Sequence, residues 1–162
     1  MLGRKMEEAL NKQANAELFS SYLYLAMAYD FEAKNLPGFA HWLKVQAKEE
    51  NGHAMRFFEY INDRRSRVSL AAIAEPQATW KTPLAAFEEV LAHEQKVTGL
   101  INALVELAAK EKDTATGVML QSFVTEQVEE EKNADYIVAQ LKMIGDSAHG
   151  LIMLDRALAQ RN

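Results

Sequence analysis

Four glutamates occupy positions where a helical core would normally place apolar side chains. Glu17 lies on the line Leu10, Ala14, Glu17, Ser21, Tyr24, Ala28, Phe31, and Glu50 on the line Phe39, Leu43, Gln46, Glu50, His53, Phe57, Tyr60. Glu94 follows Phe87 and Val90 and precedes Val97, Ile101 and Leu104. Glu130 belongs to the line Leu120, Phe123, Gln127, Glu130, Ala134, Ile137, Leu141. None of the four lines contains a Lys or an Arg. A carboxylate removed from water is costly unless it is paired, protonated or bound to a metal, and mutual repulsion raises the cost. Two divalent cations would cancel four such charges. The residue types therefore point to a dinuclear metal centre of carboxylates and one imidazole, His53. Oxygen-rich donors with one nitrogen suit iron or manganese, and zinc competes for them.

Spacings alternating between three and four are the inner seam of an amphipathic helix. They predict long helices over roughly 4–34, 37–65, 83–111 and 114–145, with a short fifth helix over roughly 147–160. Asn35-Leu36-Pro37-Gly38, Lys112-Asp113-Thr114 and Gly145-Asp146-Ser147 supply the stops and caps between them. Four matched helices of about 40–45 Å, at ~1.5 Å per residue, make a four-helix bundle. Glu17, Glu50, Glu94 and Glu130 each lie within about three residues, or ~5 Å, of their helix midpoints. Mid-height is preserved whichever way a helix runs, so the carboxylates should meet at one level, and His53 joins Glu50 on the same face. The connection from Arg65 to Thr82 contains Pro76 and Trp80. At ~3.3–3.6 Å per extended residue it could run the length of the bundle, making the second and third helices parallel.

The 162 residues suit one all-α domain, with the bundle over 4–145 and the fifth helix over 147–160. With Cys 0, disulfides, thiolate zinc sites and iron–sulfur clusters are excluded. Pro 3 and Gly 7 are too few for the turns of an all-β fold. A net charge of −5 argues against nucleic acid and anionic membrane as partners. No uncharged stretch is longer than Leu18 to Tyr29, which falls short of the ~18 residues that span a bilayer. No apolar leader follows Met1, so a cytoplasmic location is expected.

Glu49-Glu50-Asn51-Gly52-His53, His93-Glu94-Gln95 and Glu126-Gln127-Val128-Glu129-Glu130-Glu131-Lys132 resemble the motifs of bacterial non-haem ferritins, and the resemblance covers essentially the whole chain. It implies a ferritin-like four-helix bundle with a long crossover between helices two and three, and an iron-storage function with ferroxidase activity. Glu17, Glu50 and His53 would hold a first iron, with Glu50 bridging. Glu94 and Glu130 would hold a second, with Gln127 beside it. Fe(II) would be oxidised by dioxygen or peroxide, and Fe(III) stored as mineral in a homo-oligomeric, 24-subunit shell. Glu49, Glu126 and Glu129, with Glu130 shared, would form a third iron site. Tyr24 would hydrogen-bond to Glu94 and take part in the chemistry. No haem is expected: Asn51 stands where the haem-binding subfamily has Met, and Gln127 where it repeats Glu-x-x-His. Ser122 replaces a Trp common in close relatives. The alternative is a ferritin-like di-metal enzyme that reduces peroxide without storing iron.

His41 and His93 read as surface residues, and His149 as a residue at the fifth-helix entrance. Trp42 and Trp80 read as packing anchors. The fifth helix, with Leu151, Ile152, Met153, Leu154 and Leu158, is apolar beyond what a filled bundle needs, which argues for oligomerisation.

Overall fold

The structure is a computed structural model describing residues 1–162. Its helices are α1 (Arg4–Ala33), α2 (Pro37–Asp63), α3 (Pro83–Lys110), α4 (Thr114–Ile144) and α5 (Ala148–Leu158). Each end falls within two residues of its expected place, α5 being shorter at both ends than 147–160. Local chemistry explains the boundaries. Thr82 accepts from the Ala85 amide at 3.0 Å ahead of Pro83, and Asp113 from the Thr116 amide at 3.2 Å. Ser147 accepts from the Gly150 amide at 3.1 Å. Gly145 ends α4 at φ 54, in the left-handed region glycine tolerates.

Two apolar clusters fill the bundle. One gathers Phe31, Phe39, Trp42, Phe87, Ile137 and Leu141; the other gathers Leu10, Phe57, Ile101, Leu104, Leu120 and Phe123. The start of α2 and the start of α3 thus share one cluster, and their later halves share the other. The Phe39 and Phe87 rings, 5.7 Å apart, agree. Helices α2 and α3 are therefore parallel, as the long connection requires. That connection climbs along α1: the Leu2 amide donates to Ser66 Oγ at 3.1 Å, the Ser69 amide to Asn11 Oδ1 at 2.7 Å, and the Trp80 amide to Asp30 Oδ2 at 3.1 Å. Trp80 is buried where the crossover ends. No helix is long and apolar enough to cross a membrane.

Helix α5 is less unpartnered than its composition suggests. Leu154 and Leu158 join the first cluster, leaving Ile152 and Met153 about half exposed. Leu36 offers α2 no side-chain cap. Asp155 supplies one across the fold, accepting from the Gly38 and Phe39 amides at 2.8 and 3.0 Å. The approach is possible because residue 38 is glycine: a Cβ there would meet the Asp155 carbonyl oxygen at 1.6 Å. Gly38→Ala should therefore lift α5 off α2 and cost about 1–3 kcal/mol, the range for overpacking. Urea denaturation of the variant checks this, and an unchanged midpoint would show that α5 docks by other means.

Candidate metal centre

Between the two apolar clusters lies a polar layer to which α1, α2, α3 and α4 each contribute. Glu17, Glu50 and Glu94 are each 1% exposed. Glu130 is half-buried, and the His53 side chain is 12% exposed. Ligand atoms of Glu17, Glu50 and His53 all lie within 4.8 Å of one another. His53 Nδ1 lies 3.1 Å from Glu50 Oε2. Gln46 spans the halves of the layer, donating to Glu50 Oε1 at 3.3 Å and Glu130 Oε2 at 2.8 Å. On the far side Tyr24 donates its hydroxyl to Glu94 Oε1, and Gln127 Nε2 donates to Glu94 Oε2 at 3.1 Å.

None of these four carboxylates is ion-paired with a Lys or Arg. Glu17 Oε2 and Gln46 Oε1 are buried with no hydrogen-bond partner at all. Buried acceptors without donors are rare in folded proteins, and here they face a layer made of further acceptors. The donor set fits a pair of hard cations: oxygen ligands dominate, with one imidazole. Acidity reports the same shortage of positive charge. Burial, then the nearby Glu50 charge, pushes the Glu17 carboxyl up from 4.5 to about 8. Burial, then Glu94, pushes Glu130 up to about 7. Burial and Glu94 hold Glu50 well above the usual carboxylate range, and burial raises Glu94. Burial and the Glu94 charge keep the Tyr24 hydroxyl protonated far above its ordinary range.

The remaining candidates lie outside this layer. Glu126 receives Arg56 Nη1 on both oxygens at 2.9 and 2.7 Å, and its Oε2 lies 3.6 Å from His53 Nε2. Glu49 is paired with Arg161 at 2.5 Å. Glu129 is exposed. His93 is not the surface residue its sequence context suggests. It is half-buried, and its Nε2–H donates to Ser20 Oγ at 2.8 Å, because the Ser20 hydroxyl is given to the Ala16 carbonyl. Burial, then Lys96, lowers its pKa to about 4. Half-buried His41 bonds the Arg161 carbonyl, and His149 is exposed.

Several contributors escape a reading of the seams alone. Gln13 donates to Glu17 Oε1 at 2.7 Å. Its spacing of four from Glu17 was a usable signal. Thr98 accepts from Gln127 Nε2 at 3.3 Å and gives its hydroxyl to Glu131 at 2.5 Å. Arg56 lies one turn after His53 and could have been placed by the same rule; no local pattern brings Arg161 to Glu49.

Known proteins share this chain's sequence pattern and fold. The Ferritin-like domain family matches residues 7–144. The bacterial non-heme ferritin of Bacteroides fragilis is 45% identical over 161 residues, covering 99% of this chain and 100% of the relative. That of Staphylococcus haemolyticus is 39% identical, covering 100% of this chain and 98% of the relative. The open pore ferritin of the archaeon Archaeoglobus fulgidus superposes with a TM-score of 0.99 at 49% identity, covering 100% of both chains. With family match, full-length identity and fold in agreement, the chain belongs to the ferritin family.

Proposed function

We propose that the chain, acting as a single ferritin-like unit, oxidises Fe(II) at a dinuclear centre and stores the Fe(III) product as mineral inside a 24-subunit homo-oligomeric shell in the cytoplasm. The observation that carries this reading is the layer of four carboxylates, three of them 1% exposed, with no Lys or Arg among their partners. Glu17, Glu50 and His53 would hold one iron ion, Glu94 and Glu130 the other with Gln127 beside it, and Glu50 would serve both. Gln13, Gln46, Gln127 and Tyr24 orient the carboxylates through their N–H and O–H groups. Glu49, Glu126 and Glu129, with Glu130 shared, would form a third iron site weaker than the inner two, since Arg161 and Arg56 already occupy Glu49 and Glu126.

Two Fe(II) ions supply two electrons. Dioxygen takes both with two protons and leaves as hydrogen peroxide; peroxide takes two more electrons and two protons to give water. Anionic oxygen donors stabilise Fe(III) over Fe(II), so the carboxylates favour the forward direction. The Tyr24 hydroxyl, held to Glu94, keeps that carboxylate aimed inward while charge on the metals changes.

Anaerobic addition of Fe(II) should saturate at about two tightly held ions per chain, as in di-iron carboxylate bundles. Admitting air should then build ferric absorbance in a species of hundreds of kilodaltons on a sizing column. Absence of tight binding would overturn the dinuclear reading. Turnover in a dimer with no mineral would replace storage with peroxide or oxygen reduction.

A further inference from the structure

Two of the three outer carboxylates already hold a cation that belongs to the chain. Arg56 Nη1 grips both oxygens of Glu126, its Nη2 donates to Ser122 Oγ at 2.5 Å, and its guanidinium lies 4.0 Å over the Phe123 ring. Arg161 Nη2 donates to Glu49 Oε2 at 2.5 Å and Nη1 to the Trp42 carbonyl at 3.3 Å. Its guanidinium lies 4.3 Å over the Trp42 ring, and its own carbonyl accepts from His41 Nε2 at 2.7 Å. The Arg161 side chain is only 18% exposed. A planar guanidinium stacked on a ring and hydrogen-bonded at its rim is pre-organised rather than loosely swinging. The boundary with the inner layer is marked by Gln46, 1% exposed, which donates to Glu50 and Glu130 while its Oε1 has no partner. Glu130 itself has no Lys or Arg partner, while Glu49, whose charge it feels, and Glu126 are each taken by an arginine.

We propose that Arg161 and Arg56 are tethered counter-ions that hold Glu49 and Glu126 closed, so that a further divalent cation binds beside Glu130 only by displacing a guanidinium. The two arginines thereby set how many ions the chain holds tightly, separating the inner pair from everything outside it. The inference rests on the dinuclear reading above. It also gives α5 a second consequence: Leu154, Leu158 and Asp155 anchor the helix on its own bundle, and Arg161, three residues beyond its last turn, is thereby delivered to α2.

Zn(II), which is redox-inert, serves as the probe on the assembled full-length protein. Anomalous scattering from soaked crystals locates each ion, and calorimetry measures its affinity. In the wild type, peaks should lie only among Glu17, Glu50, His53, Glu94 and Glu130. R161Q should add a peak between Glu49 and Glu130, bound about tenfold or more tightly than in the wild type, the scale of one lost hydrogen bond to a charged group. R161K, which keeps the charge but not the fork, should stay closer to wild type, and R161Q/E49Q should lose the new peak. A fully occupied ion at Glu49 in the wild type, or no change in R161Q, overturns the proposal. Missing inner peaks would instead overturn the dinuclear reading, while the R161Q difference at Glu49 would still decide the role of the arginine.

Discussion

Replacing Glu50 by alanine slows the initial oxidation of Fe(II) in air by on the order of 100-fold or more, while Glu129→Ala changes it by less than about twofold. The asymmetry follows from position. Glu50 is 1% exposed and takes contacts from both halves of the layer: His53 reaches its Oε2 at 3.1 Å, and Gln46 links its Oε1 to Glu130. Its charge is felt at Glu17, and its own acidity is weakened first by burial and then by the charges of Glu94 and Glu130. Glu50 lies within reach of both Glu17 and His53 and is joined through Gln46 to Glu130, so its removal should untie both ions at once. Partners that merely orient a metal ligand are worth about 10–100-fold, and a shared ligand is worth at least that. Glu129 is exposed. Stopped-flow absorbance after mixing with Fe(II) measures both variants, and a sizing column confirms that assembly is retained. Equal losses from the two would refute the role given to Glu50.

The fold and the inner site were legible because both depend on period. Residues three and four apart share a face, so the seams announced the helices, and a charge on a seam announced burial. The mid-height argument worked because it needs no knowledge of topology. It put Glu17, Glu50, Glu94 and Glu130 at one level; in the structure the first three are buried and Glu130 is half-buried. The crossover was legible from length, since a chain from Arg65 to Thr82 without helical period has to go somewhere, and parallel helices need one. What stayed hidden has a common cause: contacts between elements leave no periodic trace. The Asp155 cap on α2 joins residues 117 apart in sequence. The Arg161–Glu49 pair joins residues 112 apart. His93 looked like a surface residue because it is one position off the seam. The gap between α1 and α3 buries it against Ser20 and sets it edge-on to Tyr24 at 5.7 Å.

Stripped of metal, the protein should lose folding stability as pH rises from about 5 to about 8, and metal should remove that slope. Glu17 titrates at about 8 and Glu130 at about 7 in the folded chain, against an ordinary 4.5. Across that window the folded state keeps protons that the unfolded state has released, so the unfolding free energy falls with pH. The contribution is fully present below about 4.5 and gone above the folded values. For Glu17 alone, a shift of this size amounts to on the order of 5 kcal/mol. Bound cations reverse the preference, because ligation requires the ionised carboxylate. The gap in melting temperature between loaded and stripped protein should therefore widen from about pH 6 to about pH 8. Uptake of Zn(II) near pH 7 should release protons, counted by calorimetry in buffers of different ionisation enthalpy. Glu17→Gln should flatten the slope of the stripped protein and weaken metal binding together, since one carboxyl causes both. A stripped protein that gains stability across the window, or takes up metal without proton release, would mean that the carboxyls are already ionised and compensated, and the demand for outside cations would disappear with their protons.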